Sequence, residues 1–152
     1  MSGKARHNHD TCVDDALARA EAVCSERNQR LTPLRRDVLK RVWNDHKPIG
    51  AYDIIQAMGS ETRRIAPPTV YRALGFLMEQ HLVHRIASLN AYIGCPEPSH
   101  AHNIGFLICE QCQSVQEITE AALNDTIAQC ATTQGFVVTS QNVEITGRCA
   151  NC

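Results

Sequence analysis

Apolar residues recur at intervals of three and four from Cys12 to Asn28. Val13, Ala16, Leu17, Ala20, Val23 and Cys24 fall on one face of an expected first helix. Thr32-Pro33 opens a second, with threonine as the cap and proline in the first turn, and Leu34, Val38, Leu39 and Val42 share one side of it. Lys47-Pro48-Ile49-Gly50 breaks that helix, and a third runs from about Ala51 to Met58 with Ile54, Ile55 and Met58 inward. A polar loop over 59–66 leads to Pro67-Pro68, which can open a helix but not interrupt one. Thr69 to Gln80 follows as a fourth helix. Val70, Ala73, Leu74 and Leu77 form its buried stripe, and Thr69, Arg72 and Phe76 lie on a different face.

The period then changes to two. Leu82–Ala87 and Ala91–Cys95 are short β-type runs joined at Ser88-Leu89-Asn90, a hairpin pattern. Beyond a Pro-rich polar stretch, Ile104–Ile108 and Ser114–Ile118 are expected strands. A helix over Glu120–Gln134 carries Leu123, Ile127 and Cys130 at successive inward positions and stops at Gly135. Phe136–Thr139 and Asn142–Thr146 complete the pattern as two more strands.

Helix, polar turn, helix and two-stranded hairpin outline a winged helix-turn-helix. The expected fold is therefore α+β. It comprises a leader over 1–11, a winged-helix unit over 12–94, a hinge over 95–102 and a small α/β unit over 103–152. His7, His9 and Cys12 could make a loose metal-binding tail, but a disordered leader is the expected reading. A last unit of roughly fifty residues buries little core, so a metal staple, oligomerisation or both is expected to support it.

Net charge is −1 over 152 residues, but it is unevenly shared: residues 1–85 carry +4 and residues 86–152 carry −5. The basic first part favours an anionic partner such as nucleic acid, although a chance distribution of surface charge gives the same total. The longest strongly apolar run, Ile104 to Cys109, is too short to span a bilayer, and residues 1–10 lack the apolar core of a secretory signal. The expected compartment is the cytoplasm, where eight cysteines act as thiols or metal ligands rather than as a disulfide frame.

Two C-x-x-C pairs, Cys109/Cys112 and Cys149/Cys152, together offer the four soft ligands of a closed zinc site, with 36 residues between them. A redox dithiol would instead open a helix after a strand, whereas the first pair lies between two strand-like runs. A second constellation is His84, Cys95, His102 and Glu117. If Cys109 faces Cys112 across an antiparallel turn, Glu117 stands opposite Ile104 and His102 lies diagonally from it on the same face. A site of all four would straddle the hinge, and its mixed nitrogen, sulfur and oxygen donors suit zinc. His100 competes with His102, and His81 and Cys130 are weaker candidates. Each residue also has an ordinary reading, as a wing surface histidine, a buried thiol or a solvated carboxylate. A zinc hydrolase could use the same set, with Glu117 as general base, but no H-E-x-x-H motif supports it.

Leu31-Thr32-Pro33-x-Arg35, Ala51-Tyr52-Asp53, the run Pro67-Pro68-Thr69-Val70-Tyr71-Arg72-Ala73-Leu74 and the two C-x-x-C pairs resemble the Fur superfamily of metal-responsive repressors, closest to its zinc uptake regulator branch. The resemblance implies a homodimer with winged-helix DNA-binding domains and C-terminal dimerisation domains. It also implies two zinc ions per subunit and a palindromic double-stranded DNA operator of zinc-uptake genes. Matched residue by residue, structural zinc falls on Cys109, Cys112, Cys149 and Cys152, and regulatory zinc on His84, Cys95, His102 and Glu117. Tyr52 and Arg72 match base-reaching positions, and Thr69 and Tyr71 the neighbourhood of phosphate contacts. An iron- or peroxide-responsive repressor of the same superfamily is the alternative. His100-Ala101-His102-Asn103-Ile104-Gly105-Phe106 lacks the denser ligand cluster of the iron type, and Cys95 adds a soft donor that favours zinc.

Overall fold

The computed structural model describes residues 9–45, 47–60, 64–98 and 104–152. The chain divides into two compact units, residues 1–100 and 101–152.

In the first unit α1 (His9–Glu26), α2 (Pro33–Trp43), α3 (Ala51–Met58) and α4 (Pro67–Glu79) surround one core. The helix starts follow from local chemistry. Thr32 Oγ1 accepts from the Arg35 N–H at 3.4 Å, Pro33 occupies the first turn of α2, and Pro67 and Pro68 open α4 where no intrahelical donor is needed. α1 begins at His9, three residues before the expected start. Val38, Leu39 and Val42 of α2, Ile54 of α3, and Val70, Leu74 and Leu77 of α4 are essentially inaccessible.

Phe76 departs from expectation: it is buried in this core rather than sharing the open face with Thr69 and Arg72. The Arg35 guanidinium lies 3.5 Å from its ring centroid, so the ring has a cation on its outer side where periodicity alone predicted solvent.

β2 (Val83–Ile86) and β3 (Ala91–Gly94) pair antiparallel, with His84 opposite Ile93. The Cys95 N–H donates to Leu82 O at 3.0 Å and adds a further rung. A 3₁₀ turn (Ala87–Leu89) joins the strands through Asn90. That residue is left-handed at φ 46°, and its Oδ1 accepts from Arg85. The sheet has a third strand that sequence reasoning missed, β1 (Ile49–Gly50), giving the order β1-β3-β2. Two residues are too few to show a period.

The second unit holds β4 (Gly105–Cys109), β5 (Val115–Ile118), α5 (Ala121–Thr133) and β6 (Val143–Gly147). β4 is central, antiparallel to β5 and parallel to β6. Its register differs from the expected one. Glu117 stands opposite Phe106, not Ile104, because Cys109 N–H bonds to Ser114 O and leaves four residues in the turn. The slip is two residues, so face assignments survive while positions move. Gly135, at φ 64°, ends α5 in a Schellman motif: its N–H donates to Thr132 O and the Phe136 N–H to Ala131 O.

Two other expectations fail here. Phe136–Thr139 forms no strand, and Phe136 and Val137 are 68% and 82% exposed. β-forming residues need a ladder partner, and this segment has none among the described residues. Cys130, expected inward on α5, is exposed. Leu123 and Ile127 are only half-buried.

Trp43 packs against Gly94 so closely that a Cβ there would lie 2.3 Å from the indole. Gly94→Ala should therefore cost about 1–3 kcal/mol through overpacking against a rigid ring. Urea denaturation followed by the emission of Trp43 would read the loss as a lowered midpoint.

Candidate metal centres and nucleic-acid face

Parallel pairing of β4 with β6 sets Cys109 beside Gly147, two residues before Cys149. The ladder thus delivers both C-x-x-C pairs to one end of the sheet, and the Glu110 N–H donates to Gly147 O at 2.8 Å to secure the junction. Cys109 Sγ lies 3.8 Å from Cys152 Sγ, Cys112 Sγ 3.7 Å from Cys149 Sγ, and Cys149 Sγ 3.4 Å from Cys152 Sγ. All four sulfurs fall within 4.8 Å of one another. Tetrahedral zinc with bonds of about 2.3 Å requires sulfurs roughly 3.8 Å apart, so the donor set and its spacing both fit that ion.

Backbone donors prepare this site for negative charge. Amides of Cys112, Cys149 and Gln111 converge on Cys109 and bring its thiol down to about 6. Cys112 is also lowered, first by the Ser114 side chain, whose Oγ is 3.1 Å away, and then by the Ser114 backbone. Cys152 is pushed up to about 12, first by its hydrogen bond with Cys149 and then by that with Cys112, because neighbouring sulfurs share its proton. Ser114 was missed at the sequence level; its signal was a hydroxyl two residues beyond the second cysteine.

The other candidates divide between the units. His84 on β2 and Cys95 just after β3 occupy diagonal positions on one face of the hairpin, and their ligand atoms lie within 4.8 Å of each other. Cys95 is 3% exposed. Glu117 lies on β5 of the second unit. His102 and its competitor His100 lie outside the described residues. His81 adopts φ 58° at the turn after α4, where its N–H donates to Met78 O.

Tyr52, near the start of α3, is 70% exposed, and Tyr71, in the second turn of α4, is 54% exposed. Arg72 is exposed beside Tyr71, and Thr69 is half-buried. On α4 these residues lie off the Val70–Ala73–Leu74–Leu77 stripe, so packing of that stripe turns them outward. Exposed aromatic and guanidinium groups on a helix that opens freely at its N-terminus can reach base edges and phosphates.

The chain belongs to the Ferric uptake regulator family, whose profile it matches over residues 26–146. Within the family it is 37% identical over 145 residues to the zinc uptake regulation protein of Escherichia coli, covering 93% of this chain and 84% of that one. It also superimposes on a solved structure of a zinc uptake regulator complexed with zinc and DNA. That match has a TM-score of 0.86 and 36% identity, and covers 92% of this chain and 94% of the other. Holo XcZur superimposes with a TM-score of 0.84 and 38% identity, covering 91% of this chain and 97% of the other. Membership in a family of regulators sets the hydrolase reading aside. No described helix is long and apolar enough to cross a membrane.

Cobalt(II) added to the reduced protein should give the intense thiolate charge-transfer and tetrahedral ligand-field bands of a four-sulfur site. Cys112→Ser should weaken both and lower tightly held zinc, measured by elemental analysis, by one ion per chain.

Proposed function

We propose that this protein is a zinc-responsive transcriptional repressor that binds a palindromic operator as a zinc-loaded homodimer. One observation supports it above the others: the likeness, over nearly the whole chain, to a zinc uptake regulator solved with zinc and DNA. In this reading each subunit takes two zinc ions. Cys109, Cys112, Cys149 and Cys152 hold a structural ion, and His84, Cys95, His102 and Glu117 hold a regulatory one. Bound zinc would supply a charge-neutralising tetrahedral cross-link and no redox chemistry.

The residues divide the work between affinity and sequence discrimination. Positive charge in the first part of the chain neutralises phosphates and makes binding salt-dependent. Arg72 offers a bidentate donor to guanine O6 and N7, a contact worth about 1–3 kcal/mol of discrimination. Tyr52 joins it at the bases, and Thr69 and Tyr71 contact the backbone. His84 and Cys95 sit at the foot of the wing, so ligation there acts on the same unit that carries α4. Zinc and operator then favour one conformation and strengthen each other, with a coupling of about 1–3 kcal/mol.

The decisive experiment is a gel-shift series on a pool of random duplexes with zinc titrated against a chelator. Shifted complexes should appear only as zinc rises, and shifting that ignores the chelator would overturn the reading. Cys95→Ser should abolish zinc-dependent binding while leaving a folded dimer by size-exclusion chromatography and circular dichroism. Cys112→Ser should unfold or monomerise the protein. Arg72→Ala should weaken selected duplexes at least tenfold while changing non-specific binding little.

A further inference from the structure

Arg27 follows α1 and is half-buried where its neighbours 25, 26 and 28–30 are exposed. Among the described residues its side chain makes three hydrogen bonds, all to neutral oxygens. Nη1 donates to Gln80 O at 2.7 Å and to Gln80 Oε1 at 3.4 Å, and Nη2 donates to Pro98 O at 3.3 Å. Gln80 is the C-cap of α4, where exposed carbonyls favour a cation. Pro98 is buried in the segment that leaves β3. The last backbone rung of the β2–β3 hairpin at this end joins Leu82 O to the Cys95 N–H. Gln80 and Pro98 therefore lie just beyond that rung, one on each leg, and a single guanidinium bridges them.

Such a bridge has a geometric purpose. An open hairpin frays from its base, and Cys95 is the basal residue on its leg. Fraying would let its sulfur drift from the His84 ring. A planar guanidinium can reach two carbonyls along fixed directions, whereas an ammonium is a single point and cannot span them. The same group fastens the end of α4, so the hairpin foot and the helix carrying Tyr71 and Arg72 share one anchor.

We propose that Arg27 is a positioning residue for the His84–Cys95 pair: it clamps the base of the hairpin and links ion binding there to α4. The linkage rests on the reading of that pair as regulatory zinc ligands; the clamp itself does not.

The test is Arg27→Lys in the full chain, with Gln80→Ala as a control that removes only the weaker side-chain contact and keeps the carbonyl. Hydrogen–deuterium exchange of protein that keeps the four-cysteine ion, with other zinc removed by a mild chelator, should be at least tenfold faster in the peptide spanning Gly94–Pro98 for Arg27→Lys, and near wild type for Gln80→Ala. Both variants should keep wild-type helix content and the four-sulfur cobalt spectrum. The factor by which zinc tightens binding to a duplex selected with wild-type protein should fall about tenfold in Arg27→Lys alone. Unchanged exchange and an unchanged zinc factor would overturn the clamp, as would Gln80→Ala matching Arg27→Lys. If wild-type protein shows no zinc factor, the sensing reading fails, and the exchange rates still decide whether the clamp exists.

Discussion

The second unit depends on the parallel ladder between β4 and β6. β4 supplies Phe106, Ile108 and Cys109, all buried, while α5 contributes no buried residue at all. A sheet with so little helix cover has a thin core, and apolar burial alone leaves a unit of this size marginal. The ladder also brings Cys149 and Cys152 to the turn that holds Cys109 and Cys112. In the proposed reading a structural zinc ion held there would add on the order of 10–16 kcal/mol of apparent binding energy, which is folding energy when the unfolded chain has no site. The amides pointed at Cys109 show the backbone arranged for a thiolate there.

The first unit solves a different problem. Its core is thick, drawn from four helices and the hairpin. In the proposed reading it holds a few side chains outward and two together at the wing. Burial of one stripe of α4 leaves Tyr71 and Arg72 in solvent, and the hairpin register puts His84 and Cys95 on one face. Both outcomes follow from periodicities, 3.6 on the helix and 2 on the strands, so neither requires a special loop.

Much of this was legible in the chain. The four helices of the first unit, the hairpin and its turn could be placed because long stripes and Thr-Pro or Pro-Pro starts leave strong marks. The four-cysteine set was legible from spacing. β1 was not, since it depends on an edge that exists only after the hairpin has formed. Phe76 misled because its companion, Arg35, comes from another helix and cannot be seen in a local period. Phe136–Thr139 misled in the opposite sense: its residues favour strands, but nothing in the described chain pairs with them. The Glu117 register was off by two because the cysteine turn holds four residues rather than two. Arg27 carries no motif, and its partners lie more than fifty positions away.

That turn has a consequence for how the chain tolerates change. Sidedness on β5 depends on the parity of the loop before it. A single extra residue between Cys109 and Ser114 would invert the strand and send the Glu117 carboxylate to the opposite surface. Two extra residues would merely slide it along by one pleat and leave its outlook intact. Length in this loop is therefore quantised in pairs, and odd insertions are the ones that turn the strand over.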